Sequence, residues 1–500
     1  MTATPSPTLP RRAGEGAASH PGPGQGLRGG GSPLPLRGGG ARGGGLALLL
    51  LLVLASCVPP APRSAPDLVT DLQERSFRYF WDLAGPENGL IPDRWPTPSF
   101  SSVAAVGFGL TSVPIGIENG WITREEGRAR VLRTLRFLKN APQGPEPSGR
   151  TGYKGFFYHF LDMQTGTRFE RVELSTIDTT LLLAGALFCQ SYFDQKVPEE
   201  EEIRALAEEL YRRVDWTWAR PQPPRLSMGW HPESGFIDYE WMGFNEAMIL
   251  YVLALGSPTH PVDPADWEAF TSTYRWGTFY GQEHVNFAPL FGHQYSHVWI
   301  DFRGLQDAYL RGKGIDYFEN SRRATLAQRA YAIANPSGFR GYGPNVWGLT
   351  ACDGPFDGDL EIDGRPIHFM TYAARGAALG EIRDDGTIAP TAAASSIAFA
   401  PEVAIPAIEE MHRRWGTHLY GRYGFLDAFN PTLTRERKTY HGKVVPGVGW
   451  FDGDYLGIDQ GPIVAMIENH RTELIWKVMR KNPHIRRGLE RAGFTGGWLE

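Results

Sequence analysis

Four stretches of this chain are nearly all apolar or small: STIDTTLLLAGALF (175–188), NEAMILYVLAL (245–255), APTAAASSIAFA (389–400) and GIDQGPIVAMI (457–467). A helix with no polar face has to be buried all round. Between them lie segments with apolar residues at helical spacing and a charged outer face: DLVTDLQERSFRYFWDLA (67–84), TREEGRARVLRTLRFLKN (123–140), EEEEIRALAEELYRRVDW (199–216) and IDYFENSRRATLAQRAYAIAN (315–335). Thr123 and Glu126 form a capping-box pattern at the start of the second of these. The two kinds roughly alternate, and a bundle has only one core to offer. The alternation therefore predicts an all-α toroid, with an inner ring of buried helices inside an outer ring that keeps one wet face. YHFLDMQTGTRF (158–169) and DLEIDGRPIHF (359–369) read as hairpins or loop strands with a turn glycine. No linker interrupts residues 67–500, which read as one domain.

The N-terminal part has a different character. Residues 1–45 are mostly Gly, Pro, Ala, Ser and Arg, too poor in apolar residues to fold. LALLLLLVLASC (46–57) follows. It is too short to span a bilayer and fits the hydrophobic region of a secretion signal. Leu54-Ala55-Ser56-Cys57 matches a bacterial lipobox, with Cys57 as the lipidated residue; the alternative is an ordinary signal peptide. Residues 58–66 form a Pro/Ala/Ser tether. The expected location is outside the cytoplasm, lipid-anchored, periplasmic or surface-facing. Cys189 in an apolar helix and Cys352 in a Gly-rich loop do not suggest a disulfide framework or a metal site. The formal net charge of −5, with no long charged run, argues against nucleic acid as a partner.

Chemistry is expected in the long loops: GLIPDRWP, RPQPPRLSMGWHPESGFIDYEW, FGHQYSHVWIDFRG, FRGYGPNVWGLTACDGP, YGFLDAFNP and PGVGWFDGDYLGIDQGP. They set Trp, Tyr and Phe beside Asp, Glu, Arg and His. Sugars suit that mixture, because their C–H faces pack on rings while their hydroxyls need polar partners. The plainer reading is that these loops only cover helix ends. Asp178, Glu246 and Asp459 each stand at the mouth of an apolar helix, where an acid also serves as a simple cap or first-turn charge. Glycoside hydrolysis needs two carboxyls in different protonation states. Glu246 is placed to have its pKa raised by desolvation, with the helix dipole opposing. Asp459, between Gly457, Gln460 and Gly461, reads as wetter and suited to stay ionised. His293 and His297, four apart, fit either zinc or sugar contacts and packing. No HExxH or GxSxG is present, and no glycine-rich segment follows a strand pattern as a phosphate loop would.

RSFRYFWDLAGPENGLIPDR, GFFYHFLDMQTG, ELSTIDTTLLLAGAL, FNEAMILYVLALGSPTHP, GHQYSHVWIDFRG and GIDQGPIVAMIENHRTELIWKVMRKNP together resemble the bacterial glucoamylase-like family. That family includes the endo-β-1,2-glucanases of glycoside hydrolase family 144. The likeness runs from about residue 70 to about residue 495. It implies an (α/α)6 toroid and a metal-independent, cofactor-free, inverting hydrolase that acts on a glucan or oligosaccharide, while the lipobox makes the membrane a partner only through lipid. It places the acid at Glu246 and the base at Asp459; in a related group a substrate hydroxyl relays the proton, so the base need not touch the water directly. Glu173 and Asp178 would line the centre of the cleft. Tyr239, Trp241, His293, Tyr295, His297, Trp299, Arg303, Trp347 and Trp450 are the expected subsite contacts. Alternative readings are a same-fold enzyme with another linkage or a transfer reaction, and a non-catalytic glycan-binding lipoprotein.

Overall fold

The computed structural model describes residues 67–500. The leader, the signal segment with Cys57 and the tether lie outside the described residues. The helices in order are α1 (Leu68–Leu83), α2 (Val103–Glu118), α3 (Arg124–Asn140), α4 (Thr176–Tyr192), α5 (Pro198–Arg212), α6 (Met248–Gly256), α7 (Pro264–Thr271) and α8 (Phe291–Trp299). They continue with α9 (Ala308–Arg311), α10 (Tyr317–Ala334), α11 (Pro390–Ala394), α12 (Pro401–Leu419), α13 (Gly457–Arg471), α14 (Leu474–Met479) and α15 (Pro483–Arg491).

The predicted alternation is present. Nearly every residue of α4, α6, α11 and α13 is buried, and so is nearly every residue of α2 and α8, which the apolar pattern did not single out. By contrast α3, α5 and α12 keep an exposed face, and the outer faces of α1 and α10 are half-buried. The capping box at Thr123 and Glu126 forms as predicted, with Glu126 Oε2 accepting from Thr123 N at 2.7 Å.

Buried helices touch one another through close backbones and buried side-chain bonds. On α4, a Cβ at Gly185 would lie 2.1 Å from the carbonyl oxygen of Gly107 on α2, so only glycine lets these two helices cross there. Ile249 N at the start of α6 donates to Ser296 Oγ on α8 at 3.1 Å. Gln294 Nε2 on α8 donates to Ala392 O on α11 at 2.8 Å. Asn469 Nδ2 on α13 donates to Val298 O at the far end of α8 at 2.9 Å. On the outer side, Gln73 Nε2 of α1 donates to Glu468 Oε2 of α13 at 2.7 Å.

The connections have a strong asymmetry. The segments that lead into fully buried helices are long: 84–102 before α2, 141–175 before α4, 213–247 before α6, 272–290 before α8, 335–389 before α11 and 420–456 before α13. Most segments that follow a buried helix are short turns, such as 119–123, 193–197 and 395–400. The long segments carry the β-structure. Gly152–Tyr153, Phe156–Tyr158, Leu174–Ser175, Gly229–His231 and Gly235–Phe236 make a five-stranded sheet in that order. Gly358–Ile362 pairs with Arg365–Phe369 as the predicted hairpin. Its two-residue turn, Asp363-Gly364, has φ of 53° and 75°, the left-handed pair that an Asp-Gly turn supplies. The other expected hairpin is incomplete. Phe160–Leu161 pairs with Ser101–Ser102, and only an isolated bridge joins Leu161 to Arg168.

Candidate active site

The long segments bring acids to the N-terminal ends of the buried helices. Glu246 stands just ahead of α6. Asn245 shapes its turn: its Oδ1 accepts from Ala247 N at 2.9 Å and its Nδ2 donates to Met242 O at 3.3 Å. The backbone carbonyl of Glu246 accepts from Ser296 Oγ of α8 at 2.8 Å. Glu246 is 8 % exposed, and among the described residues no cation pairs with its carboxyl. Burial raises its pKa to about 7, and the nearby charge of Asp178 adds to the rise.

Asp178 lies in the first turn of α4 and accepts a hydrogen bond from Ser175 Oγ, so the capping reading of this acid is correct as far as it goes. It also faces His159, whose Nε2 lies 3.6 Å from Asp178 Oδ1 and whose Nδ1 lies 2.7 Å from Glu173 Oε1. Burial pulls the His159 pKa down, but the two carboxylates overcome it and raise it to about 9. Burial alone would raise Glu173. The charge and hydrogen bond of His159 outweigh that and bring Glu173 below its usual value. Burial keeps Asp178 above its own ordinary value in spite of His159 and Ser175. Trp241 ties the two acid-bearing segments together, with Nε1 donating to Thr176 Oγ1 at 2.9 Å and its carbonyl accepting from Tyr251 OH at 2.7 Å.

A second group of acids surrounds Asp459 in the first turn of α13. Asp353, Asp427, Asp452 and Asp454 come from the segments before α11 and α13, and all are buried. Asp353 N donates to Asp427 Oδ2 at 2.7 Å, and the Asp427 and Asp459 carboxyls lie within hydrogen-bond reach of one another. Arg94, from the segment before α2, supplies the buried cation: its Nη1 donates to Asp353 Oδ2 at 2.7 Å and to Asp454 Oδ2 at 3.3 Å. Burial raises Asp427 to about 6, with Asp353 adding to the rise. Burial, then Asp427, push Asp459 well above the usual carboxylate range. The expectation of a wet, readily ionised Asp459 is therefore corrected. The side chain is enclosed by other carboxyls, and the flanking glycines do not open it to water; a Cβ at Gly461 would lie 2.2 Å from the Phe108 ring.

The two groups belong to one region. The Tyr295 ring, on the first half of α8, feels Asp459, Glu246 and Asp178 together, and its hydroxyl donates to Ile458 O at 3.4 Å. Asp93 lies between them, within electrostatic reach of His159 and Asp178 on one side and of Asp353 and Asp427 on the other, and burial raises it to about 7.

Several expected subsite residues lie elsewhere. His297, Trp299, Trp347 and Trp450 are completely buried and cannot touch a substrate. Trp299 Nε1 donates to Thr111 Oγ1 at 3.0 Å and Trp450 Nε1 to His441 O at 2.8 Å, so these indoles are core struts. His293 is also sealed and lies 3.2 Å from Phe287 O through Nε2, while His297 Nε2 lies 3.0 Å from Ser321 Oγ. These two rings serve different neighbours, and neither the zinc nor the sugar reading survives for them. Arg303 follows the C-terminal end of α8, away from the acids, and pairs with Asp301 and Glu473. Trp241 is buried as the strut described above. Of the aromatic candidates, Tyr295 stands beside the acids and Tyr239 is half exposed on the segment leading to Glu246. Asp93, Arg94, His159, Asp353, Asp427, Asp452 and Asp454 were missed. Each lies in a segment already read as a loop or hairpin, but only Asp452 and Asp454 stand just ahead of a buried helix, so position before an apolar run could have found those two alone. Asp353, His441 and Asp452 bring ligand-type atoms within 4.8 Å of one another. Arg94 Nη1 already lies against Asp353 and 3.2 Å from His441 Nδ1, so a guanidinium is the cation of this group.

Residues 238–483 match the Glycoamylase family model, described as "Putative glucoamylase". A curated relative, the exo beta-1,2-glucooligosaccharide sophorohydrolase (non-reducing end) of Parabacteroides distasonis, is 31 % identical over 464 residues. That match takes in 86 % of this chain, and the chain spans 58 % of the length of that relative. A crystal structure from Bacteroides uniformis bearing the same description as the family model superposes with a TM-score of 0.74 at 34 % identity, covering 88 % of this chain and all of that one. The endo-beta-1,2-glucanase of Chitinophaga pinensis, solved with sophorotriose and glucose, superposes with a TM-score of 0.73 at 29 % identity, covering 86 % of this chain and 99 % of that one.

Proposed function

The chain belongs to the glucoamylase-like family, and from that premise we propose that it is a glycoside hydrolase that cuts β-1,2-linked glucan, internally and with inversion. Glu246 is the general acid. It is buried, has no cation beside it, and holds its proton to about pH 7. That observation carries the reading, because a buried carboxyl with which no cation pairs among the described residues still has a proton to donate near neutral pH. The proton acceptor comes from the carboxyl group around Asp459. The likeness to an endo-acting enzyme over 99 % of its length, against 58 % of the exo-acting one, supports internal cleavage. The fold fits the same reading. The six buried helices α2, α4, α6, α8, α11 and α13 form the inner ring, and α1, α3, α5, α7, α10 and α12 the outer ring, of an (α/α)6 toroid with its acids at one mouth. Tyr239, Tyr295, Glu173 and Asp178 hold the sugar there. The run before Cys57 supports export with a lipid anchor on that residue.

The test is release of reducing ends from β-1,2-, β-1,3- and α-1,4-glucans. Wild-type protein is expected to act on the first and Glu246→Gln on none. NMR of fresh product should show the anomer opposite to that of the bond cut. Turnover by Glu246→Gln at the wild-type rate would refute the acid assignment, and activity on another glucan alone would refute the linkage.

A further inference from the structure

The group around Asp459 has more acids than its cations can neutralise. Asp353, Asp452, Tyr372 and Tyr295 lie within electrostatic reach of Asp427 or Asp459, Asp93 reaches Asp427 and Asp454 reaches Asp452; Arg94 and, 3.2 Å from it, His441 are the basic groups. Two buried carboxyls in contact cannot both ionise in such a place. Asp427 Oδ1 and Asp459 Oδ2 are both buried, and neither accepts a hydrogen bond from an N–H or hydroxyl group. A single proton between the carboxyls gives both groups a partner. The surroundings also decide which one is charged. Asp427 accepts the Asp353 backbone N–H at 2.7 Å and feels Arg94. Asp459 has the start of α13 behind it but no side-chain capping bond at that helix end.

We propose that Asp427 and Asp459 share one proton, that Asp427 carries the negative charge, and that this pair, rather than Asp459 alone, takes the proton from the attacking water. The proposal rests on the hydrolase reading above. In the step, the water oxygen bonds to the anomeric carbon and its proton passes to Asp427. The bond from that carbon to the bridging oxygen breaks with its electron pair going to the oxygen, which takes the Glu246 proton. The pair then holds two protons and Glu246 none, and exchange of one proton through solvent resets the site. Asp459 holds the shared proton in place and keeps the acceptor singly charged.

The test compares wild type, Asp427→Asn, Asp459→Asn and the double variant for kcat and KM on β-1,2-glucan across pH. It is read together with 13C NMR titration of the aspartate carboxyl carbons, which needs no activity. Each single variant is expected to lose about a hundredfold or more in kcat. KM should stay within about threefold, and the double variant should be no worse than the poorer single one, as for groups that act as a unit. Formate should restore part of the rate to Asp427→Ala, which a purely structural aspartate would not allow. The Asp459 carbon should titrate in two coupled steps in wild type and in one step in Asp427→Asn. Wild-type kcat in Asp427→Asn, losses that multiply in the double variant, or an Asp459 titration indifferent to residue 427 would each overturn the pair. If wild type releases no sugar from any glucan, the hydrolase reading fails, and the titration still decides whether the proton is shared. If Asp427→Asn does not fold, the wild-type titration alone decides: one step at Asp459 overturns the proposal and two coupled steps sustain it.

Discussion

Removing the charge of Glu246 should stabilise the folded protein while abolishing turnover, and the size of the gain follows from its burial. Its pKa rises from the ordinary 4.5 to about 7 in the folded state. Between those values the folded protein still binds a proton that the unfolded chain has released. Stability therefore falls as pH rises through this window and stays reduced above it. At 1.36 kcal/mol for each tenfold change, the loss is about 3 kcal/mol at pH 8 and vanishes below about pH 4.5. Glutamine keeps the shape of the protonated acid and has no charge to desolvate. For about 430 ordered residues at ~2 cal/mol/K each, 3 kcal/mol corresponds to roughly 3 °C in Tm. Thermal unfolding of wild type and Glu246→Gln, followed by circular dichroism at pH 5 and pH 8, measures it. The variant should gain about 3 °C over wild type at pH 8 and much less at pH 5. An equal difference at both pH values, or a variant less stable at pH 8, would refute the claim that Glu246 is buried without a compensating cation.

Three further outcomes are expected. His159→Gln removes a group whose folded pKa of about 9 contributes stability that is full below about pH 6.5 and lost as pH rises through 9; its destabilising effect, read by urea unfolding, should be larger at pH 6 than at pH 10. Trp241→Phe deletes the bond to Thr176 Oγ1 and should cost ~1 kcal/mol in urea unfolding, with kcat lowered more than KM is raised, because the two acid-bearing segments lose their tie. Cys57→Ser should abolish incorporation of labelled palmitate and release the protein from membranes, and unchanged labelling would refute the lipobox.

Much of the architecture was legible because a helix that is apolar all round has few places to go. That argument found α4, α6, α11 and α13. It failed for α8, where His293, Gln294, Ser296 and His297 look like a surface or a site. His297 Nε2 meets Ser321 Oγ, Gln294 donates to Ala392 O and Ser396 Oγ, and Ser296 donates to Glu246 O, partners from distant parts of the chain that no local pattern reveals. The acids Glu246, Asp178 and Asp459 were readable from their position before apolar runs. The charge state of Asp459 was not, because it depends on Asp353, Asp427 and Asp452, which are brought in by other loops. Trp299, Trp347 and Trp450 misled for a related reason. A tryptophan in a polar, glycine-rich loop suits sugar stacking and core packing equally well, and only the tertiary fold decides.

The uneven lengths of the connections have a consequence for how such a chain can change. Every residue named as a reacting or sugar-holding group here is carried by a long segment leading into a buried helix or by the first turns of that helix, while the short turns on the opposite side carry Arg303 and other struts. Insertions, deletions and exchanges in the long segments can remodel the acid-lined mouth without disturbing the paired glycines where α2 crosses α4. Selectivity and rigidity are thus assigned to different ends of the same helices, so lineages of this architecture can diverge in what they accept while keeping a common frame.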